Sequence, residues 1–113
     1  MDIFKITEQA ARRKASAADY LELFRERSMS AGIYMLPKDA FDPQQPHSED
    51  EVYYILAGKG KFTSAGEVVD VVAGEMIYVA KGVEHRFHDI AEDMTLLVIF
   101  APPEGSRGPE KRP

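Results

Sequence analysis

The chain has 113 residues, 44% of them apolar, with 14 basic against 19 acidic side chains and a formal net charge of -5. That length suits one domain around one core, and the acidic balance argues against a protein that grips nucleic-acid phosphates. Cysteine is absent, which removes disulfides, thiolate nucleophiles, iron–sulfur clusters and cysteine zinc sites together.

The first residues, Met1-Asp2-Ile3-Phe4-Lys5, hold no apolar run of signal-peptide length. Residues 7 to 18, rich in alanine and long polar side chains, predict a helix with Thr7 as its N-cap. From Tyr20 onward short runs alternate with turn formers. The runs are Tyr20–Arg25, Ala31–Leu36, Glu51–Leu56, Lys61–Ser64, Val68–Val72, Met76–Val79, Glu84–Asp89 and Thr95–Ala101. Between them lie breaks such as Asp42-Pro43, Gly58-Lys59-Gly60, Ala65-Gly66, Ala73-Gly74 and Lys81-Gly82. Closely spaced short strands of this kind predict an all-β sandwich or barrel rather than a βαβ sheet. The longest uncharged apolar stretch, Met94 to Pro103, is far short of the roughly 20 residues that span a bilayer. We therefore expect a cytoplasmic single domain over residues 1–103, with an N-terminal strand and helix over 1–19, a barrel over 20–101 and a flexible tail over 104–113.

Two segments, Val52–Leu56 and Leu96–Phe100, are apolar on both alternating faces. A strand of that kind is covered on both sides. One side is the barrel interior. The other needs a second layer, the N-terminal segment or another subunit, and a homodimer is the expected solution.

All three histidines lie between residues 47 and 88. With the period of two of an extended chain, Gln45, His47, Glu51 and Tyr53 share one face. His85 and Phe87 share a face, and His88 falls on the opposite one. If the strands converge, His47, Glu51 and His85 form the two-histidine, one-carboxylate set that holds a divalent metal. Gly58-Lys59-Gly60 reads as a hairpin turn, because it lacks the third glycine and following helix of a phosphate-binding loop. No Gly-x-Ser-x-Gly elbow supports a serine hydrolase. Glu49 and Asp50 read as an acidic loop.

These same residues carry a family resemblance. Glu51, six intervening residues and Gly58 resemble the second half of the first cupin motif, with His47 in place of its second histidine. Gly74, Gly82 and His85 resemble the second motif, with Phe87 following, so the likeness runs from residue 39 to 89. Four positions depart from the pattern. Asp39 stands where glycine is usual, Gln45 where histidine is usual, Ala80 for proline and Asp89 for asparagine. The Asp39 and Ala80 changes touch turns; Gln45 touches the metal, either as a weak fourth ligand or as a hydrogen-bonding partner of the ligands.

The resemblance implies a cupin-type double-stranded β-helix, a jelly-roll barrel with a short N-terminal helix, binding one divalent ion. Nitrogen and oxygen donors leave Fe, Mn, Ni, Cu and Zn open. Tyr53 and Phe87 are expected to line the pocket. It implies no particular reaction. A small metal-dependent oxygenase or isomerase for an oxygen-rich molecule comes first. A non-catalytic small-molecule or sugar-binding module with a structural metal is the alternative, and an accessory subunit with an empty site is the third reading. No membrane or nucleic-acid partner is expected.

Overall fold

The computed structural model describes residues 1–44 and 46–105. One helix, α1 (Ile6–Ala11), precedes six strands: β1 (Asp19–Arg25), β2 (Ser30–Leu36), β3 (Asp50–Ser64), β4 (Glu67–Val72), β5 (Met76–Val79) and β6 (His85–Ala101). They form one antiparallel sheet in the order β1-β2-β6-β3-β4, with β5 pairing the other edge of β3. The sheet curls into the expected barrel, and its interior is Tyr34, Leu36, Tyr53, Ile55, Phe62, Phe87, Ile90, Met94, Leu96, Val98 and Phe100, among others. Among the described residues no helix is long and apolar enough to cross a membrane.

Three expectations need correction. The helix runs over Ile6–Ala11 rather than residues 7–18, starts from Lys5 without a side-chain cap, and buries none of its residues. A helix that short with no buried face has little to extend it, and Arg13 instead bonds Asp19 at 2.6 Å to lead the chain into β1. Glu104, expected in the flexible tail, is held in place: its N–H donates to Ser30 Oγ at 3.0 Å next to the buried Pro103, while residues 106–113 lie outside the described residues.

The third correction is Gly58-Lys59-Gly60, which is no turn. The four runs separated by it and by residues 90–94 are two long strands, β3 and β6, paired from Asp50↔Ala101 to Ser64↔His85. The register slips three times between Ile55 and Lys61, so the ribbon bends there instead of reversing. Gly58 makes that bend possible. Its φ is 92°, and a Cβ added there would stand 2.2 Å from the Asp93 carbonyl oxygen. At the real β3–β4 turn Gly66 also has positive φ, but a Cβ there would meet nothing within 4 Å. We expect Gly58→Ala to lower stability by at least about 2 kcal/mol and Gly66→Ala by about 1 kcal/mol, read as urea midpoints. Equal losses would show that the close approach to β6 carries no weight.

On the outer face, strand pairing builds two apolar rows, Ala31–Ile99–Val52–Tyr78 and Ile33–Leu97–Tyr54–Met76. Ala31 and Ile33 are buried at the β2 end, whereas Met76 and Tyr78 are 70% and 64% exposed at the β5 end. The N-terminal segment adds Phe4, stacked on Phe24 of β1 with ring centroids 5.5 Å apart.

Candidate functional site

Alternation along β3 turns Glu51, Tyr53 and Ile55 inward, and all three are buried. Glu51 lies opposite Phe100, at one end of the β3–β6 ribbon, and His85 lies opposite Ser64, at the other. On a flat ribbon, at about 3.3 Å per residue, those ends would be about 43 Å apart. The bend at residues 55–61 closes the ribbon on itself, and His85 Nε2 stands 2.9 Å from Glu51 Oε1. His47 arrives from the loop before β3. Its carbonyl accepts the Gly82 N–H at 2.6 Å, which ties the two loops together, and its ring packs edge-on against Phe100 at 5.0 Å. One donor atom each from His47, Glu51 and His85 falls within 4.8 Å of the others, a cluster that could hold a metal ion.

Hydrogen bonds fix how these groups face. His85 Nδ1–H donates to the Val83 carbonyl at 2.9 Å, so Nε2 is the nitrogen aimed at Glu51 and at the Tyr53 hydroxyl, 3.1 Å away. Without a cation between them, Nε2 must carry a second proton to face a carboxylate. Burial pulls His85 downward, but the hydrogen bonds to Glu51 and Val83 and the charge of Glu51 outweigh it and hold the imidazole above its ordinary value. Glu51 is 1% exposed and its Oε2 has no hydrogen-bond partner. A buried carboxylate oxygen left unbonded is costly, and a divalent cation among two imidazole nitrogens would satisfy it. The donor set fits such an ion.

Behind the cluster a second carboxylate, Asp42, is 1% exposed and fully occupied. Its Oδ1 accepts from the Tyr34 hydroxyl at 2.6 Å and the Gln44 N–H at 3.3 Å. Its Oδ2 accepts from Gln44 Nε2 at 2.8 Å and the Phe87 N–H at 3.0 Å. Held this way, the Gln44 carbonyl oxygen accepts the Tyr53 hydroxyl at 2.6 Å and stands 3.4 Å from His47 Nε2. Burial, reinforced by Glu51, raises Tyr53 far above its ordinary value, so it stays a protonated donor. The chain Asp42–Gln44–Tyr53–His85 thus orients the cluster from outside it. Over the cluster opens a cavity of about 190 Å³ whose walls include Gln44, His47, Glu51 and Tyr53.

Comparison with known proteins identifies the family. The cupin-domain family matches residues 32–100, more than half of the chain. The chain is a cupin. It is 43% identical over 104 residues to an uncharacterized protein of Streptomyces coelicolor, an alignment that covers 92% of this cupin and 99% of that protein. It is 36% identical over 73 residues to the acireductone dioxygenase of Gluconacetobacter diazotrophicus, covering 60% of this cupin but only 41% of that enzyme. A solved structure from Thermus thermophilus superposes with a TM-score of 0.73 at 24% identity, covering 88% of this cupin and 97% of that chain, a likeness of fold.

The departures from the family pattern take a physical form. Asp39, in place of glycine, has φ 65°, and Asp89 has φ 48°, a left-handed conformation that aspartate tolerates better than most residues. The cupin brings His47, Glu51, His85 and Tyr53 together. Gln45 lies outside the described residues. Phe87, expected on the pocket wall, is core instead. It sits opposite Phe62 one layer below the histidines, with ring centroids 4.6 Å from Phe62 and 4.9 Å from Tyr53. Its contribution to the site is the backbone N–H. His88 faces away and bonds Thr63 Oγ1 and Asp89 Oδ2, each at 2.7 Å. Glu49 is no solvated loop residue: it is 1% exposed and accepts the Ser48 hydroxyl. Sequence reasoning missed Asp42 and Gln44, because strand parity was carried back to residue 45 while β3 starts at Asp50. The turn-forming Asp42-Pro43 was the available signal.

Proposed function

We propose that the cupin binds one divalent metal through His47, Glu51 and His85, with Gln45 close by in sequence, and acts on a small oxygen-rich organic molecule by oxygenation or isomerisation. The observation that carries the metal reading is the buried Glu51 carboxylate, with an unbonded Oε2 and a histidine nitrogen aimed at its other oxygen. When bound, such an ion supplies Lewis acidity, and for Fe, Mn, Ni or Cu also redox chemistry. The protein contributes a charge-compensating carboxylate, two imidazoles and an aromatic-walled cavity that limits water. The partial match to a protein named acireductone dioxygenase favours oxygenation. The lack of cysteine fits a cytoplasmic setting. Elemental analysis of protein purified without added metal or chelator is the test. About one equivalent is expected for wild type and less than about a tenth for His47→Ala or His85→Ala; a metal content unchanged by both substitutions would refute the site. A metal-loaded protein that turns over no small oxygen-rich compound would move the reading to a binding module.

We also propose that a second copy covers the outer rows ending at Tyr54, Met76 and Tyr78, since an exposed patch continuous with buried apolar rows marks an interaction surface and a two-fold pair is the commonest closed assembly. Sedimentation should give twice the chain mass of 12.7 kDa, and Met76→Glu with Tyr78→Glu should return the single-chain mass. A wild-type monomer at micromolar concentration would refute it.

A further inference from the structure

Beyond the cluster residues the cavity is lined by Tyr20, Tyr34, Val98, Phe100 and Glu104, and no lysine or arginine is among its described lining residues. Tyr20 reaches it by crossing β2. A Cβ on Gly32 would stand 2.4 Å from Tyr20 Cζ and 2.4 Å from its hydroxyl oxygen, so the bare glycine in mid-strand is what admits the ring. The ring then packs edge-on against Tyr34 and Phe100, each at 6.3 Å. Its hydroxyl is buried and has no hydrogen-bond partner. A buried hydroxyl left unbonded on a residue that lines the cavity lacks the partner that buried polar groups normally have, and a ligand that reached it would supply one.

Glu104 comes from the segment after β6, anchored through its N–H to Ser30 Oγ at 3.0 Å. Burial raises its carboxyl above the ordinary range, and Glu51, Glu49 and Glu22 raise it further. The nearby cation, Arg25, opposes that only in part and is itself paired with Glu22 at 2.8 Å. Glu104 is therefore the acidic group beside a metal-binding floor, with no lysine or arginine among the described lining residues to neutralise it.

Resting on the metal reading above, we propose that Tyr20 and Glu104 select the far end of the ligand: a small chelator whose distal group is a hydrogen-bond donor, an ammonium group above all, and not a carboxylate or phosphate. The chelating end meets the cluster. The body lies between the rings of Tyr20, Tyr34 and Phe100. The distal donor meets Glu104 while the Tyr20 hydroxyl gains a partner. A cavity of about 190 Å³, below the roughly 300–1,000 Å³ of drug-sized sites, limits the ligand to a single small ring or its equivalent.

Three catechols that share one chelating head and differ in the tail make the test: 4-(2-aminoethyl)catechol, 4-ethylcatechol and 3,4-dihydroxyphenylacetate. Each is titrated calorimetrically into the protein carrying one equivalent of nickel(II). The amine should bind at least about 10-fold more tightly than the carboxylate, with the ethyl compound between them, because like charges facing one another in a confined site are penalised. Glu104→Gln should shrink the amine-to-ethyl preference below about 2-fold. Tyr20→Phe should weaken the amine more than ethylcatechol, whose tail offers the hydroxyl no partner. A carboxylate that binds as well as the amine, a preference untouched by Glu104→Gln, or nickel-loaded protein that binds none of the three overturns the selection while leaving the metal site standing. Protein that fails to take up nickel overturns the metal reading, and this inference with it.

Discussion

Glu51→Gln should abolish the stability that metal confers while leaving the metal-free protein within about 1 kcal/mol of wild type. The substitution keeps the shape of a side chain that is 1% exposed and removes its charge. In the metal-free protein the imidazole of His85 can answer by shedding its second proton, so no buried charge is stranded. With metal the two proteins part. An ion present at about 1,000 times its dissociation constant adds about 4 kcal/mol to the folded state, which for a domain of this size raises Tm by about 15 °C. Loss of a charged ligand should cost more than the roughly 10–100-fold in affinity typical of an outer partner, so the variant's rise at the same metal concentration should be only a few degrees. Thermal scans of stripped and reloaded protein give both numbers. An equal rise in the two proteins would remove Glu51 from the metal site.

Asp42→Asn should destabilise the fold by about 3 kcal/mol although it changes one atom. Both carboxylate oxygens accept two donors each: Tyr34 and the Gln44 N–H on one, the Gln44 carboxamide and the Phe87 N–H on the other. Whichever way an amide is turned, its NH₂ meets two donors, and hydrogen bonds to a buried charge contribute about 1.5–3 kcal/mol apiece. Urea unfolding should show a lower midpoint with the slope unchanged. Gln44 loses its anchor as well, so metal affinity should fall in the variant even at temperatures where it remains folded. A loss below about 1 kcal/mol would mean that the carboxylate is dispensable and that Gln44 is held by something else.

Much of this molecule was legible in one dimension. The eight short runs fall on the six strands, and with their breaks they predicted the all-β class, because alternation and turn chemistry are local properties of the chain. Glu51 and Gly58, with Gly74, Gly82 and His85, carried the cupin likeness, because the turns and inward positions of a barrel recur at set spacings. Inward parity also placed Glu51 and Tyr53 correctly, since both lie within β3. The same rule failed just ahead of Asp50, where the chain is a loop, so Asp42 and Gln44 went unseen.

What the sequence could not settle was which separated pieces meet. Gly58 looked like a turn, since nothing local distinguishes a residue that reverses a strand from one that bends it. Only its approach to the Asp93 carbonyl in the paired strand decides the matter. The bend it allows brings Glu51 and His85 from opposite ends of one ribbon to 2.9 Å. Phe87 shares a face with His85 yet lies one layer deeper, because depth within a barrel is set by the partner across the ladder, here Phe62. Glu104 read as tail and became a cavity wall for the same reason. Sequence determined which way each side chain points relative to its own strand, a matter of local backbone geometry. Tertiary structure determined what each one faces, because that depends on the curvature and register of strands distant in sequence.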